Sequence, residues 1–149
     1  MKKGNTAPDI IFKGDNYAPG YGQNNTPNKL SEIKSKYTVV VFGASWCQKC
    51  TEELPAIAKH YSKWKAQGVE VVFISLDENK EMFKNFTSIF PFISFCDYQK
   101  WNSTAVTDYY VFGTPTMYLL DYKRKILLRP NSVSQMDAWV DWNLVQGNK

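Results

Sequence analysis

Histidine and cysteine are scarce in this chain, with one His and three Cys in 149 residues. Three is an odd number, so a framework of structural bridges is not implied. One close pair in a domain of ordinary size is more often catalytic or metal-binding than structural. Long hydrophobic runs are missing too. Nowhere do about 18 apolar residues follow one another, so no helical membrane span is predicted. The opening Met1-Lys2-Lys3-Gly4 carries the charge of a leader, but the stretch from Asn5 to Asp15 brings no apolar core behind it. No secretory signal is therefore expected in this stretch, and residues 1–6 read as a trimmed start or linker remnant. Clustered positive charge is also absent. The 18 Lys and Arg exceed the 14 Asp and Glu by only four, and no basic stripe interleaves with aromatics, so nucleic-acid binding has no footprint. What the chain does have is a core: 44% hydrophobic residues, with nine Phe, nine Tyr and five Trp. That suits one compact domain over residues 1–149 that needs neither metal nor staple.

The order of elements follows from patterning, and no internal repeat is present. Asp9–Phe12 (DIIF) reads as a short strand, and residues 13–29, rich in Gly, Pro and Asn, as a long surface loop. TVVVFGAS (38–45) is a β-branched apolar run closed by turn residues, as a buried central strand should be. A helix follows from about Cys47 to Gln67 and stops at Gly68. VEVVFISLD (69–77) is a second buried strand. Residues 79–90 place Met82, Phe83, Phe86, Ile89 and Phe90 at helical spacing, and FISFC (92–96) is a third strand. A short helix covers 103–110, and TMYLLD and KILLRP form a hairpin around Tyr122-Lys123-Arg124. An amphipathic helix capped by Ser132 closes the chain. Strands separated by helices imply parallel crossovers, and the hairpin adds an antiparallel edge. The expected fold is an α/β sandwich.

The chemistry concentrates in FGASWCQKCTEELP (42–55), where a buried strand gives way to a helix. Advancing about 100° per residue puts Leu54, Ile57, Ala58, Tyr61 and Trp64 on one arc, with Cys50 near its middle. Cys47 lies toward one border in the first turn, Glu53 at the other, and Glu52 points away. One thiol is therefore expected to be accessible and the other shielded. At a helix N-terminus the free N–H groups and the macrodipole favour a thiolate on Cys47, and Lys49 adds a cation. Such a thiolate attacks a substrate disulfide, and Cys50 then displaces the substrate and closes an intramolecular bond. Two other readings compete. An inert structural bridge needs no such asymmetry. A metal site would need Cys47, Cys50, Cys96 and His60 around one ion at about 2.0–2.3 Å, yet His60 stands ten residues beyond Cys50, ~15 Å along the helix.

WCQKC after a buried strand, with Pro55 five residues past its second cysteine, resembles the thioredoxin superfamily. GTPTMYLLD (113–121) strengthens the resemblance, which implies a thioredoxin-like three-layer sandwich with helices on both faces of a mixed sheet. It also implies a cis Pro115 that, with Thr114 and Trp46, presents backbone and apolar surface to a substrate. APDIIF near the start, the segment around 79–96 and YYVFGTPTMYLLD are similar to the TlpA-like (ResA-like) branch, in a style common in Bacteroides-type bacteria, over roughly residues 7–145. That branch implies an extracytoplasmic or membrane-tethered monomer anchored through sequence outside this chain. Its clients would be proteins with disulfides, its electrons would come from a membrane or soluble thiol donor, and its one redox group would be the Cys47–Cys50 disulfide, with no cofactor or metal.

Departures from the pattern matter as well. Many thioredoxins carry a buried Asp six residues before the first cysteine, where this chain has Val41. The TlpA-like branch often has a Glu three residues after the second cysteine, which maps onto Glu53 and makes it the candidate proton acceptor for Cys50. Gln48-Lys49 matches neither the Gly-Pro of reducing thioredoxins nor the Pro-His of strong oxidants, so the direction of electron flow stays open, with the family favouring reduction. Cys96 is expected to be a small buried side chain at the sheet end that holds Cys47. Two alternatives remain: a thiol peroxidase of peroxiredoxin type, which would usually have Thr where this chain has Ala44, and a binding module that keeps the fold without turnover.

Overall fold

A computed structural model describes residues 1–22 and 24–147; Gln23 in the predicted loop and the last two residues of the predicted domain lie outside the described residues. Three strands form the centre: β2 (Tyr37–Gly43), β3 (Val69–Ser75) and β4 (Ile93–Cys96), with β1 (Asp15–Tyr17) at one edge and β5 (Thr116–Asp121) and β6 (Ile126–Leu128) on the other side. The sheet runs β1-β4-β3-β2-β5-β6. β2, β3 and β4 are mutually parallel, whereas β1 pairs antiparallel with β4, β5 with β2, and β6 with β5. The architecture is the mixed α/β sheet expected from the sequence.

Apart from Tyr37 every residue of the central strands is buried, and most are apolar, because both faces are covered. Val39 and Val41 of β2, Val69, Val71 and Phe73 of β3, and Met117 and Leu119 of β5 pack on one side with Leu54, Ile57 and Trp64 of α1 (Gln48–Ala66) and Met136 and Val140 of α4 (Val133–Val140). The alternate residues Val40, Phe42, Val72, Ile74, Tyr118 and Leu120 face the other side, under Ala105 and Val106 of α3 (Thr104–Asp108) and the segment holding Ala7, Ile10 and Phe12. The period-2 alternation of the strands therefore divides the core into two layers. α2 (Lys80–Thr87) is capped by the Asn79 side chain, which accepts Met82 N–H at 2.9 Å. Beyond it Phe86 and Phe90 pack edge-on to Phe73. The helix ends at Thr87, short of the 79–90 expected, and Met82 and Ile89 are exposed. α4 likewise gives way to a π-helical turn over Asp141–Val145.

Two expectations need correction. Asp9–Phe12 is not a strand; it holds only an isolated bridge, Ile11 to Lys29. Ile10 and Phe12 are buried and Ile11 is 61% exposed, an alternation that mimics a strand. The Asp9 carboxylate instead accepts the Ser31 N–H at 2.9 Å and the Ser31 hydroxyl at 2.6 Å. Conversely, the loop predicted over 13–29 contains β1, which pairs Asp15 with Cys96 and Tyr17 with Ser94. Gly14 lets it approach, at φ +135° and with a site where a Cβ would lie 2.3 Å from the Cys96 carbonyl oxygen. Further along, Tyr21 donates to the buried Glu70 carboxylate at 2.7 Å, and Tyr61 and Lys65 of α1 meet the same group. Tyr21 is thereby tied to the sheet end opposite the cysteines.

Candidate active site

The site lies where β2 ends. Gly43 pairs with Ser75 of β3, and Ser75 with Cys96 of β4, so the ends of the three parallel strands lie side by side. β5 runs antiparallel to β2 with Phe42 opposite Thr116, which brings the segment before β5 to the same place. From Gly43 the chain turns through Ala44–Cys47, closed by the Cys47 N–H on the Ala44 carbonyl at 3.2 Å, and enters α1. Cys47 is the N-cap, and its sulfur accepts the Cys50 N–H at 3.3 Å. A sulfur stands here where capping oxygens usually do. The Cys47 thiol donates to the Thr114 carbonyl at 3.5 Å, and the Thr114–Pro115 peptide is cis.

The two thiols differ as expected. Cys47 is partly exposed and Cys50 fully buried. Burial works against a Cys47 thiolate, but hydrogen bonding by the Cys50 and Thr114 side chains and by the Cys50 and Lys49 backbone outweighs it, so the pKa falls below the ordinary thiol value. Burial, reinforced by the hydrogen bond to Cys47 and its charge, pushes the Cys50 thiol up to about 12. Gly43 makes the close packing feasible, since a Cβ there would stand 3.0 Å from the Cys50 sulfur. Val41, the position of the missing Asp, is buried in the same layer as Cys50.

Glu53 is half-buried, and its Oε2 accepts the N–H of Val133, the first residue of α4, at 3.3 Å. Trp46 is 44% exposed, so it is not a core residue, and its ring lies 6.5 Å from that of Trp101 with the Lys100 ammonium 5.2 Å from its centre. Cys96 is buried and donates to the Asp77 carbonyl at 3.2 Å. His60 lies elsewhere, stacked on Trp64 and 3.5 Å from the Asp137 carboxylate. Sequence reasoning missed Trp101 and Asp77. Nothing local marked Trp101, and the Asp that ends FISLD reads as an ordinary strand terminus.

A CxxC pair with one accessible and one buried thiol on this fold defines a class, and comparison with known proteins agrees: residues 4–129 match the AhpC/TSA family, to which the chain belongs. More particularly, it is 31% identical over 131 residues to the thiol-disulfide oxidoreductase ResA of Bacillus subtilis, covering 85% of this chain and 66% of that protein. It is 28% identical over 99 residues to ResA of Bacillus cereus, covering 66% of this chain and 57% of that protein. The chain thus spans less than two thirds of the length of these relatives. Among solved structures, the thioredoxin domain of a thiol-disulfide oxidoreductase from Bacteroides vulgatus superposes with a TM-score of 0.79 at 21% identity, over 97% of this chain and 99% of that one. A Chlorobium tepidum protein assigned as the thiol:disulfide interchange protein DsbE gives 0.73 at 26% identity, over 99% and 97%.

Proposed function

We propose that this chain is a thiol–disulfide oxidoreductase that reduces disulfides in extracytoplasmic client proteins through Cys47 and Cys50. The observation that carries the reading is the pairing of a partly exposed, acid-shifted Cys47 with a buried, strongly basic Cys50 one helical turn away, their sulfur and N–H 3.3 Å apart. The Cys47 thiolate attacks one sulfur of the client disulfide, forming a mixed disulfide, and the other client sulfur leaves as a thiolate that is protonated from solvent. Cys50 gives its proton to Glu53, directly or through water, and attacks the Cys47 sulfur. The Cys47–Cys50 disulfide forms, the second client thiolate leaves, and the client has gained two electrons. A membrane or soluble thiol donor returns them to the couple.

Trp46, Thr114 and Pro115 make the client surface, the first as an exposed aromatic face and the other two as backbone beside the nucleophile. The extracytoplasmic setting is supported by likeness to the ResA and DsbE type. None of the helices among the described residues is long and apolar enough to cross a membrane, so an anchor would be supplied from outside them. Equilibration of the couple in thiol redox buffers, with each cysteine read by alkylation and mass spectrometry, tests the direction. A midpoint near or below about −250 mV supports a reductase, and one near about −120 mV makes it a disulfide donor. Insulin-disulfide reduction, with Cys47→Ser as control, separates an enzyme from a binding module, and a peroxide assay separates it from a peroxidase.

A further inference from the structure

One buried carboxylate beside the site takes no part in the exchange just described. Asp77 is 1% exposed, two residues past the end of β3. Its Oδ1 accepts the Ser45 hydroxyl at 2.5 Å, both oxygens face the Ser45 N–H at 3.3 and 3.2 Å, and Oδ2 accepts the Ser75 hydroxyl at 2.6 Å. The Asp77 N–H donates back to the Ser75 oxygen at 3.0 Å, and its carbonyl takes the Cys96 thiol. A carboxylate is costly to bury unless its lone pairs are filled by donors, and Ser45 and Ser75 supply them.

Ser45 is the second residue of the Ala44–Cys47 turn. The closing bond of such a turn uses only the first carbonyl and the fourth N–H, and leaves the second N–H without a partner. Asp77 takes that N–H and the side chain of the same residue, so it grips the turn at two points. We propose that Asp77 is a positioning residue of the exchange site: by holding Ser45 it fixes the Ala44–Cys47 turn, and so sets the Cys47 sulfur against the Cys50 N–H and the Thr114 carbonyl. The proposal deepens the reading of Cys47 as nucleophile and rests on it.

Those two sulfur contacts are long, at 3.3 and 3.5 Å, and hydrogen bonds weaken steeply as their geometry degrades. Releasing the turn therefore costs the Cys47 thiolate its Cys50 N–H donor, while the Thr114 carbonyl accepts only from the thiol form. The charge of Asp77 acts elsewhere. It adds to burial in raising the pKa of Cys96, the thiol that donates to its carbonyl. Asp77→Asn consequently moves the two thiols oppositely, with Cys47 becoming less acidic and Cys96 more so.

The test is the pH profile of iodoacetamide alkylation of each cysteine in the reduced chain, read by mass spectrometry without any client. Asp77→Asn should cut Cys47 alkylation at pH 7 by about three- to tenfold, following the lost thiolate fraction, and shift the couple's midpoint toward reducing values. Ser45→Ala should give a smaller cut, and Ser45→Thr, which keeps the hydroxyl, should recover it. A folded Asp77→Asn protein with the wild-type Cys47 profile overturns the proposal. If Asp77→Asn does not fold, the Ser45 pair decides, and equal profiles for Ser45→Ala and Ser45→Thr overturn it. If wild type fails to reduce insulin while Asp77→Asn still shifts the Cys47 profile, the positioning role stands and the reductase reading falls.

Discussion

The Cys50 N–H lies 3.3 Å from the Cys47 sulfur and donates to it. One cysteine thus helps to make the other a thiolate while its own thiol stays buried and protonated. The negative charge on Cys47 in turn raises the pKa of Cys50, so the two groups cannot both ionise readily. Attack and resolution are thereby ordered in time: Cys47 is charged first, and Cys50 can give up its proton more easily once Cys47 is tied up in a mixed disulfide and neutral.

The first prediction concerns selectivity. With Cys50 raised to about 12, Cys96 to about 11 and Cys47 lowered, Cys47 alone should react appreciably with iodoacetamide in the folded, reduced protein at pH 7. Its rate should fall as pH drops through its depressed pKa. Cys50→Ser should hold a client as a mixed disulfide, whereas Cys47→Ser should abolish turnover. Alkylation of Cys50 at a rate comparable to Cys47 would contradict the assignment.

The same shifts predict how stability depends on pH. Cys47 is more acidic in the folded chain than the ordinary 9.0, so its contribution is fully present above about pH 9 and is lost as pH falls through the folded pKa. Cys50 is shifted the other way, from 9.0 to about 12; its contribution is complete below about pH 9 and is lost as pH rises toward 12. Both vanish when the pair is oxidised, while Cys96 titrates in either form. The stability of reduced protein minus oxidised protein should therefore peak near pH 9 in urea melts. A difference that levels off above about pH 9 and stays flat to pH 11 would mean that the Cys50 thiol is not shifted.

Gly43 offers a steric test. An added Cβ would lie 3.0 Å from the Cys50 sulfur and 3.3 Å from a ring carbon of Phe73, both in the packed core. Gly43→Ala should cost about 1–3 kcal/mol, as overpacking does, and should push the Cys50 sulfur away from the end of β2. The reading is a lower denaturant midpoint together with faster alkylation of Cys50. Loss of stability without any change at Cys50 would show that the strain is relieved through Phe73 instead.

How far these features could be read from the sequence depended on their physical origin. β2 and β3 were legible because burial on both faces leaves an unbroken apolar run, and the Cys47/Cys50 asymmetry because helical periodicity alone assigns faces. β1 was not, since an edge strand made of Asp15, Asn16 and Tyr17 carries no alternating apolar signal. Asp9–Phe12 carried a short apolar run, Ile10-Ile11-Phe12, without joining the sheet. The contact between Cys47 and Thr114 was accessible only through resemblance, because it depends on β5 running antiparallel to β2. Asp77 was invisible for the same kind of reason: its partner Ser45 is brought to it by the parallel register of β2 and β3, which no local pattern encodes.

Trp46 and Trp101 are 44% and 39% exposed, with their rings 6.5 Å apart. Aromatic side chains held open beside a nucleophile are suited to anchoring a macromolecule. Trp101→Ala should raise KM for a protein disulfide about three- to tenfold, with a smaller change in kcat, and should leave the reaction with a small dithiol reagent unaffected. Equal losses with both substrates would place the effect on the thiols rather than on docking.

Glu53 has two roles to separate. Its bond to the Val133 N–H joins α1 to the start of α4, where a negative charge is favoured by the helix dipole at about 0.3–1 kcal/mol. Its proposed second role is to take the Cys50 proton during resolution. Glu53→Gln keeps an oxygen to accept from Val133 but is not a base at neutral pH, so it should cost less than about 1 kcal/mol in stability. Resolution should slow by about tenfold or more, a modest loss for general base catalysis. A mixed disulfide between Cys47 and a client would then persist in the variant, and its decay would be restored by raising pH as hydroxide replaces the missing base. Glu53→Ala, which also loses the acceptor, should add a clear drop in stability to the same kinetic defect. Wild-type decay of the mixed disulfide in Glu53→Gln, with stability lost only in Glu53→Ala, would reduce Glu53 to a strut between two helices and leave water as the acceptor of the Cys50 proton.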